Sequence, residues 1–270
     1  MLWRVRSLPF TFAHPAIVLP FWRVRWLSFT ALVFGSMAPD FEYFFRLRPY
    51  STVSHSLLGM IVFDLPVALL LAVLFHRIVK HPLVACLPAP FDRGLGYAAA
   101  KPWGIGSLRD GLVFSYSAVI GSLTHIVWDA FTHQGAFMVS RLPLLQQRAP
   151  VPWTGMDVPV YKMLQHGSTL TGLSLIALTL WLAARRGAAA GGGGRSLPAR
   201  TKWLYWLGVG GCGLLAAAAW GWSAGGAWPM ARLLGGIVPF LSGCMAGLLV
   251  MSLLFDRFGP AGAHNRHTAL

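Results

Sequence analysis

Five apolar runs, each close to twenty residues long, dominate this sequence: residues 56–75, 111–130, 167–184, 203–222 and 232–255. A helix of twenty residues is about 30 Å long, which matches the hydrocarbon core of a bilayer. Because lipid offers the backbone no hydrogen bonds, such runs cross a membrane as helices. A less regular segment, residues 26–44, precedes them and is interrupted by Gly35, Pro39 and Asp40. The sequence therefore predicts an all-α polytopic transmembrane helix bundle with about six spans.

The chain before the first span is predicted to form a short helical hairpin. Residues 14–21 suit a short helix, because Pro15 fits its first turn and Pro20 ends it. A corner at residues 23–25 then turns the chain into the next segment. The hairpin would return His14 to the level of Asp40, whereas one continuous helix would hold them about 39 Å apart.

The charge distribution indicates membrane lipids as partners. Only 11% of the residues are charged, whereas a soluble domain has about a quarter. The formal net charge of +14 would suggest nucleic acid in a soluble protein. Here the Lys and Arg residues flank apolar runs, where they orient the chain and meet anionic head groups. We therefore predict no nucleic-acid partner.

Two basic connections predict the orientation. Residues 76–110 and residues 185–202 each carry five Lys or Arg, so the positive-inside rule makes both connections cytoplasmic. Residues 131–166 then lie outside and both termini inside, although Arg46 and Arg48 on the outer side count against this assignment. We predict one membrane domain, residues 1–270. It consists of a site-bearing part (1–184), a Gly-rich cytoplasmic linker (185–202) and a C-terminal pair of transmembrane helices (203–258).

His125, Asp129 and His133 follow one another at intervals of four residues near the end of a predicted span. Residues four apart lie on one helix face. His125 and Asp129 can thus point into the bundle and bind one ion or two neighbouring ions. His133 continues that face if the helix persists for one more turn. The alternatives for the pair are a buried His–Asp hydrogen bond that fixes packing and a proton relay.

Other ionisable residues are predicted to meet this group at the outer end of the bundle. Asp40 follows the helix-breaking Pro39, His55 opens one span and His166 opens another. His14 joins them if the hairpin forms. Imidazole and carboxylate ligands suit Zn, Mn or Fe, and His favours Zn.

Two further acids have open roles. Asp64 lies in the middle of a span, where it can support a metal ligand or satisfy backbone groups freed by Pro66. We favour the structural role. Glu42 can be a supporting group for the site or a charge that faces solvent.

Several motifs together resemble an uncharacterised family of bacterial multi-pass membrane proteins: residues 9–15 (PFTFAHP), 35–40 (GSMAPD), 55–59 (HSLLG), 63–66 (FDLP), 125–129 (HIVWD) with 132–133 (TH), and 165–168 (QHGS). The resemblance covers most of residues 1–184. That family is similar, more distantly, to the proteins called membrane-bound metal-dependent hydrolases. The resemblance implies a multi-pass protein of the bacterial cytoplasmic (inner) membrane.

Carried over by motif, the resemblance implies the following metal ligands: His14, Asp40, His55, His125 and Asp129. It implies His133 and His166 as this family's own additions, acting as acid or base or as additional ligands. The cofactor is then a divalent metal, Zn foremost. Where the hydrolases often have a second Asp, this chain has Glu42, which disfavours a two-metal site.

Three functional hypotheses follow. The first is a metal-dependent hydrolase acting on a lipid or a phosphate-bearing amphiphile. The second is a proton-coupled transporter that uses Asp64 and the same His/Asp group. The third is a non-catalytic membrane scaffold whose polar cluster locks helices together.

Overall fold

The computed structural model describes residues 11–151, 155–190, 196–223 and 235–258, with side chains through Phe255 in the last range. Most of these residues are helical. In chain order the helices are α1 (Phe29–Met37), α2 (Phe41–Arg46), α3 (Met60–Ala85), α4 (Phe91–Gly94), α5 (Gly96–Ala100), α6 (Leu108–Thr132), α7 (Phe137–Arg141), α8 (Pro143–Gln146), α9 (Val160–Ala189), α10 (Ala199–Ser223) and α11 (Ile237–Phe258).

Shorter elements complete the fold. An N-terminal 3-10 segment, Thr11–Phe21, precedes α1, and a 3-10 turn, Ala38–Asp40, joins α1 to α2. Two short strands, β1 (Arg148–Val151) and β2 (Met156–Pro159), pair antiparallel in the connection before α9. The turn between them lies outside the described residues.

Among the described residues, five helical stretches are long and apolar enough to cross a membrane: Met60–Ala85, Leu108–Arg141, Val160–Ala189, Ala199–Ser223 and Ile237–Phe255. The prediction of an all-α polytopic bundle is confirmed, and the chain is a multi-pass membrane protein. Residues 26–44 do not form one of these helices. They divide into α1, the 3-10 turn and α2, since Pro39 cannot continue the α-helical hydrogen bonds.

The spans are longer than the apolar runs that predicted them. The first continues to Ala85, ten residues past its predicted end, and α9 begins at Val160 rather than at residue 167. The segment predicted as a linker, 185–202, is helical to Ala189 and again from Ala199. Its glycines at 191–194 lie outside the described residues, as do residues 232–234 of the predicted last span. Hydropathy marks the apolar part of a helix, whereas polar residues extend it at either end.

The chain divides into two compact units, formed by Met1–Ala72 with Ile105–Thr179 and by Val73–Gly104 with Leu180–Leu270. In the first unit α1 packs directly against α6. A Cβ atom on Gly35 would lie 2.2 Å from the carbonyl oxygen of Ala118, and one on Gly121 would lie 2.4 Å from that of Leu32. Small residues allow helix backbones to touch in this way. The contact holds the end of α1 beside the second half of α6.

In the second unit α10 packs along α11, also through small residues. A Cβ atom on Gly243 would lie 2.5 Å from the carbonyl oxygen of Cys212. A buried hydrogen bond of 3.0 Å joins the hydroxyls of Tyr205 and Ser252. These two helices are the predicted C-terminal pair. The same unit contains an ion pair between Lys202 and Asp92, whose carboxylate also accepts a hydrogen bond from Ser196.

A candidate metal centre

Asp40 is positioned by the end of α1 and by the N-terminal segment. Asp40 is the last residue of the 3-10 turn that follows Met37, and it is only 2% exposed. Its Oδ2 accepts a hydrogen bond of 2.6 Å from the hydroxyl of Thr11. This contact brings the N-terminal segment to the level of Asp40, as the predicted hairpin requires. The other oxygen, Oδ1, is left to face α6.

His125 and Asp129 lie one turn apart on α6, as their spacing predicts. The His125 ring is fully buried, and its Nδ1 lies 2.7 Å from the backbone carbonyl oxygen of Ser36. Because a carbonyl oxygen can only accept, Nδ1 carries the proton in this hydrogen bond. In the neutral ring the opposite nitrogen, Nε2, then presents a lone pair, which is the form of imidazole that binds a metal.

His55 reaches the same place from the connection between α2 and α3. Its side chain is 23% exposed, and its Nδ1 lies 2.9 Å from the hydroxyl of Ser54. The ring of Tyr43 stacks on it with 5.5 Å between ring centroids. These contacts fix the orientation of the ring and leave Nε2 directed at the two aspartates.

Glu42 holds the loop that carries His55. Its carboxylate is buried and accepts hydrogen bonds from the backbone N–H groups of Thr52, Val53 and Ser54, at 2.9–3.1 Å. Arg46 and the Thr52 hydroxyl donate to the same carboxylate. Burial raises the pKa of Glu42, but these N–H donors outweigh it and the net pKa lies below its ordinary value. Of the two roles open to this residue, the structure shows the supporting one.

One ligand atom from each of four residues, Asp40, His55, His125 and Asp129, lies within 4.8 Å of the other three. We call this group the four-residue cluster. His125 Nε2 lies 3.5 Å from Asp40 Oδ1 and 3.3 Å from Asp129 Oδ2. His55 Nε2 lies 3.7 Å from each of the same two oxygens.

These separations suit an ion better than direct hydrogen bonds. An N–H···O bond has its two heavy atoms 2.7–3.2 Å apart. Ligands bonded to one tetrahedral zinc at 2.0–2.2 Å lie about 3.3–3.6 Å from one another. The distances from His125 fall at this spacing and those from His55 lie just above it. The cluster can therefore bind a metal ion.

The unsatisfied atoms of the cluster support the same reading. The Nε2 atoms of His55 and His125 are buried and have no hydrogen-bond partner among the described residues. Two buried carboxylates beside them carry charge that is costly to remove from water without a counter-ion. A divalent cation satisfies both nitrogens and neutralises both carboxylates. In each of the four residues, the nitrogen or oxygen atom that points away from the cluster already contacts a neighbouring residue. Metal ligands in proteins are usually oriented by such contacts.

His14 and His133 contact the other oxygen of Asp129. His14 Nε2 and His133 Nδ1 each lie 3.2 Å from Asp129 Oδ1, and the His14 ring stacks on that of His125 with 3.8 Å between centroids. Burial lowers the pKa of His14, and the neighbouring His125 lowers it further. In this arrangement both rings orient Asp129. Direct ligation by His14 stays a prediction, since His14 is not part of the four-residue cluster.

His166 is placed differently from the other predicted residues. Because α9 begins at Val160, His166 lies inside the helix and is exposed. Its neighbour Gln165 is buried instead, with its side-chain nitrogen 3.2 Å from His133 Nε2. Sequence reasoning missed Gln165, Thr11 and Ser54, because nothing in the spacing of these polar residues distinguishes them.

Asp64 lies beside this region but outside the cluster. It ends a π-helical turn, Met60–Asp64, and is 1% exposed. One carboxylate oxygen accepts a hydrogen bond from Ser122, and the other has no hydrogen-bond partner among the described residues. The bond to Ser122 attaches Asp64 to α6 and not to a backbone group near Pro66, so the structural role favoured from the sequence stays a prediction.

Comparison with models of protein families matches residues 8–253 to one family, described as Domain of unknown function (DUF4184). The match includes the whole four-residue cluster. No curated protein and no solved structure matches the chain. The distant similarity to hydrolases and the bacterial origin therefore stay predictions, and the chemistry of the site has to be argued from its geometry.

Proposed function

This chain belongs to the DUF4184 family, and we propose that it is a membrane enzyme that hydrolyses an amphiphile with one divalent cation held by the four-residue cluster. The observation that carries the proposal is the pair of buried Nε2 atoms of His55 and His125, which lack hydrogen-bond partners within the described part of the chain and lie 3.3–3.7 Å from two buried carboxylates. Two His and two Asp ligands suit Zn best among common divalent ions.

The position of the cluster supports a substrate taken from the membrane. His55 lies just before α3 begins, Asp129 lies near the end of α6, and Gln165 lies near the start of α9. The cluster is thus at one end of three spanning helices, where a lipid head group meets water. With the predicted orientation, this is the outer face of a bacterial cytoplasmic membrane.

When bound, the cation would supply Lewis-acid activation of water and of a phosphoryl or carbonyl oxygen, provided that one coordination position is open to them, as at zinc sites with three protein ligands. Asp40 and Asp129 supply negative charge, and His55 and His125 supply neutral nitrogen ligands. We assign proton transfer to His133, whose side chain is 28% exposed and whose Nδ1 contacts Asp129. The adjacent carboxylate stabilises the protonated form of that ring, as in other acid–base pairs.

The scaffold hypothesis fits the geometry less well. A cluster that only locks helices together would join its His and Asp side chains by hydrogen bonds. Instead the Nε2 atoms of His55 and His125 lie 3.3–3.7 Å from the carboxylates and have no hydrogen-bond partner among the described residues. The transporter hypothesis gains one observation, the Asp64 oxygen that has no hydrogen-bond partner in the parts of the chain that the structure describes. Metal-independent substrate flux in proteoliposomes would favour it.

The test is the metal content of the purified protein, measured by elemental mass spectrometry in detergent. We expect one divalent transition metal per chain. His125→Ala and Asp129→Asn should lose it, while His81→Ala, which removes an exposed imidazole from α3, should keep it. Size-exclusion profiles and helical circular dichroism identify any variant that fails to fold.

Activity is tested on the same samples. Vesicles containing phosphatidic acid are incubated with each variant, and released phosphate and fatty acid are measured. Wild-type protein without stoichiometric metal, or metal content unchanged in both His125→Ala and Asp129→Asn, would refute the proposed function.

A further inference from the structure

An apolar groove with a volume of about 330 Å³ lies in the same unit as the four-residue cluster. Ala16 and Ile17 of the N-terminal segment form one wall, α9 forms the opposite wall, and Trp128 of α6 contributes its ring. At Gly172 an added Cβ atom would lie 2.9 Å from the carbonyl oxygen of Ala13. The N-terminal segment and α9 therefore touch there and limit the width of the groove.

The polar side chains along the groove are already satisfied. Ser168 donates to the carbonyl oxygen of Gln165 and Thr171 donates to that of Gly167, each within α9. The indole N–H of Trp128 donates to the hydroxyl of Ser168 at 3.2 Å. A ligand in the groove therefore meets carbon atoms and satisfied hydroxyls, which suits a hydrocarbon chain and not a head group.

The groove lies beside residues that neighbour or contact the cluster ligand Asp129. Trp128 is the residue before the cluster ligand Asp129, and its ring lies 5.6 Å from that of His14. His14 contacts Asp129 and precedes the groove residues Ala16 and Ile17 by two and three positions. The groove is therefore placed where the apolar end of a molecule would lie if its polar end were at the cluster.

The groove is also open to lipid. Both α6 and α9 are long enough to span the membrane, and the rim residues Ile17 and Leu175 are 37% and 46% exposed. A cavity of about 150 Å³ holds the six carbons of benzene, so about 330 Å³ has room for roughly a dozen carbons. The bilayer supplies acyl chains that contain segments of this length.

We propose that the groove binds an acyl chain of the amphiphilic substrate, with the polar end of that substrate at the four-residue cluster. This inference rests on the proposed function and adds the part of the substrate that the enzyme recognises. Contact with the Trp128 ring and saturable binding would distinguish such an acyl chain from the lipids that surround any membrane protein.

The experiment uses full-length protein in phosphatidylcholine vesicles containing phosphatidic acid with a diazirine on its acyl chain. Photolabelled peptides are mapped by mass spectrometry over a range of probe concentrations. We expect saturable labelling of the peptide with Thr171 and Leu175, competed by unlabelled phosphatidic acid. Leu175→Trp fills the groove and should reduce this labelling at least fivefold. Leu178→Trp is the matched control, because Leu178 is on the same helix, is 49% exposed and does not line the groove.

Metal content of each sample separates the two proposals. Saturable labelling lost in Leu175→Trp, with metal retained in both variants, supports the groove. Labelling that rises in proportion to probe, or that is equal in the two variants, would show only surrounding lipid and overturn the groove while the metal result stands. Saturable labelling in wild-type protein without metal would instead overturn the metal-dependent function.

Discussion

Replacing Glu42 by Gln should weaken metal binding without touching any ligand. Gln keeps one acceptor oxygen but places an amide NH₂ group where Oε2 accepts hydrogen bonds from the backbone N–H groups of Val53 and Ser54. Ser54 is fully buried, so its N–H loses its partner and cannot reach water, whereas Val53 is 40% exposed and can be hydrated. One buried unsatisfied donor plus the loss of the carboxylate charge costs about 2–3 kcal/mol.

The effect on the metal follows from the position of the loop. Ser54 contacts Nδ1 of His55, so a displaced Ser54 releases the one ligand that comes from a loop. Loss of a supporting contact of this kind typically lowers metal affinity tenfold to a hundredfold. We expect a lower free energy of unfolding in detergent and a rise in the metal dissociation constant within that range, measured by competition with a chelating dye.

Asp110→Asn provides the control for this change. Asp110 is also an acid whose carboxylate accepts hydrogen bonds, from the Ser107 hydroxyl and the Gly106 N–H, but it is exposed at the start of α6. Its substitution should change stability by about 0.5 kcal/mol and leave metal affinity as in wild type. If Glu42→Gln lowers stability but leaves metal affinity unchanged, the loop is not what positions His55 and the reasoning is wrong.

Three other predictions concern the metal, the helix packing and the second unit. Dialysis against a chelator should lower the midpoint of thermal unfolding, and added Zn should restore it, because an ion that binds only the folded chain stabilises it by about 2.7 kcal/mol at a hundredfold excess over its dissociation constant. Gly121→Ala should reduce metal content by separating α1 from α6, whereas Gly211→Ala, which has open space around its Cβ position, should not. Asp92→Asn should cost about 3 kcal/mol at pH 7, as measured by denaturant unfolding, because it removes the carboxylate charge beside Lys202, which keeps hydrogen bonds only to neutral oxygens of Leu87 and Ser196. Burial raises the pKa of Asp92, but Lys202 and Ser196 lower it below its ordinary value in the folded chain, so this stabilisation is complete above about pH 4 and is lost as the pH falls further. The difference in the free energy of unfolding between wild type and Asp92→Asn should therefore become smaller as the pH falls below about 4.

The helical periodicity of the sequence predicted the central part of the cluster. His125 and Asp129 are four residues apart in a span, and the structure places both on one face of α6. Asp40 and His55 could be assigned to the same membrane boundary, because one follows a broken segment and the other precedes a span. The structure brings all four together. Whether they and the other predicted site residues act as assigned awaits the metal measurements.

The supporting contacts could not be predicted, for a physical reason. Thr11, in the N-terminal 3-10 segment, contacts Asp40, and Glu42, in α2, contacts the loop that carries His55. No regular spacing along the sequence marks either residue. Gln165 is buried and its neighbour His166 is exposed because the two occupy different faces of α9. Which of them faces the site depends on where α9 begins. Hydropathy marked the apolar core of α9 and missed its first turns.

The direct contact between α1 and α6 bears on which ions the cluster accepts. Calcium requires six to eight oxygen ligands at 2.3–2.6 Å, so its ligands must stand farther apart than those of zinc. With Gly35 against Ala118 and Gly121 against Leu32, the backbones that carry Asp40 and His125 are already in contact. Packed interiors resist deformation, so the distance between the ligands on these two backbones cannot readily change. If the proposed site holds a cation, helix packing some distance from the ligands would select its radius, and we expect small divalent ions to bind more tightly than large ones.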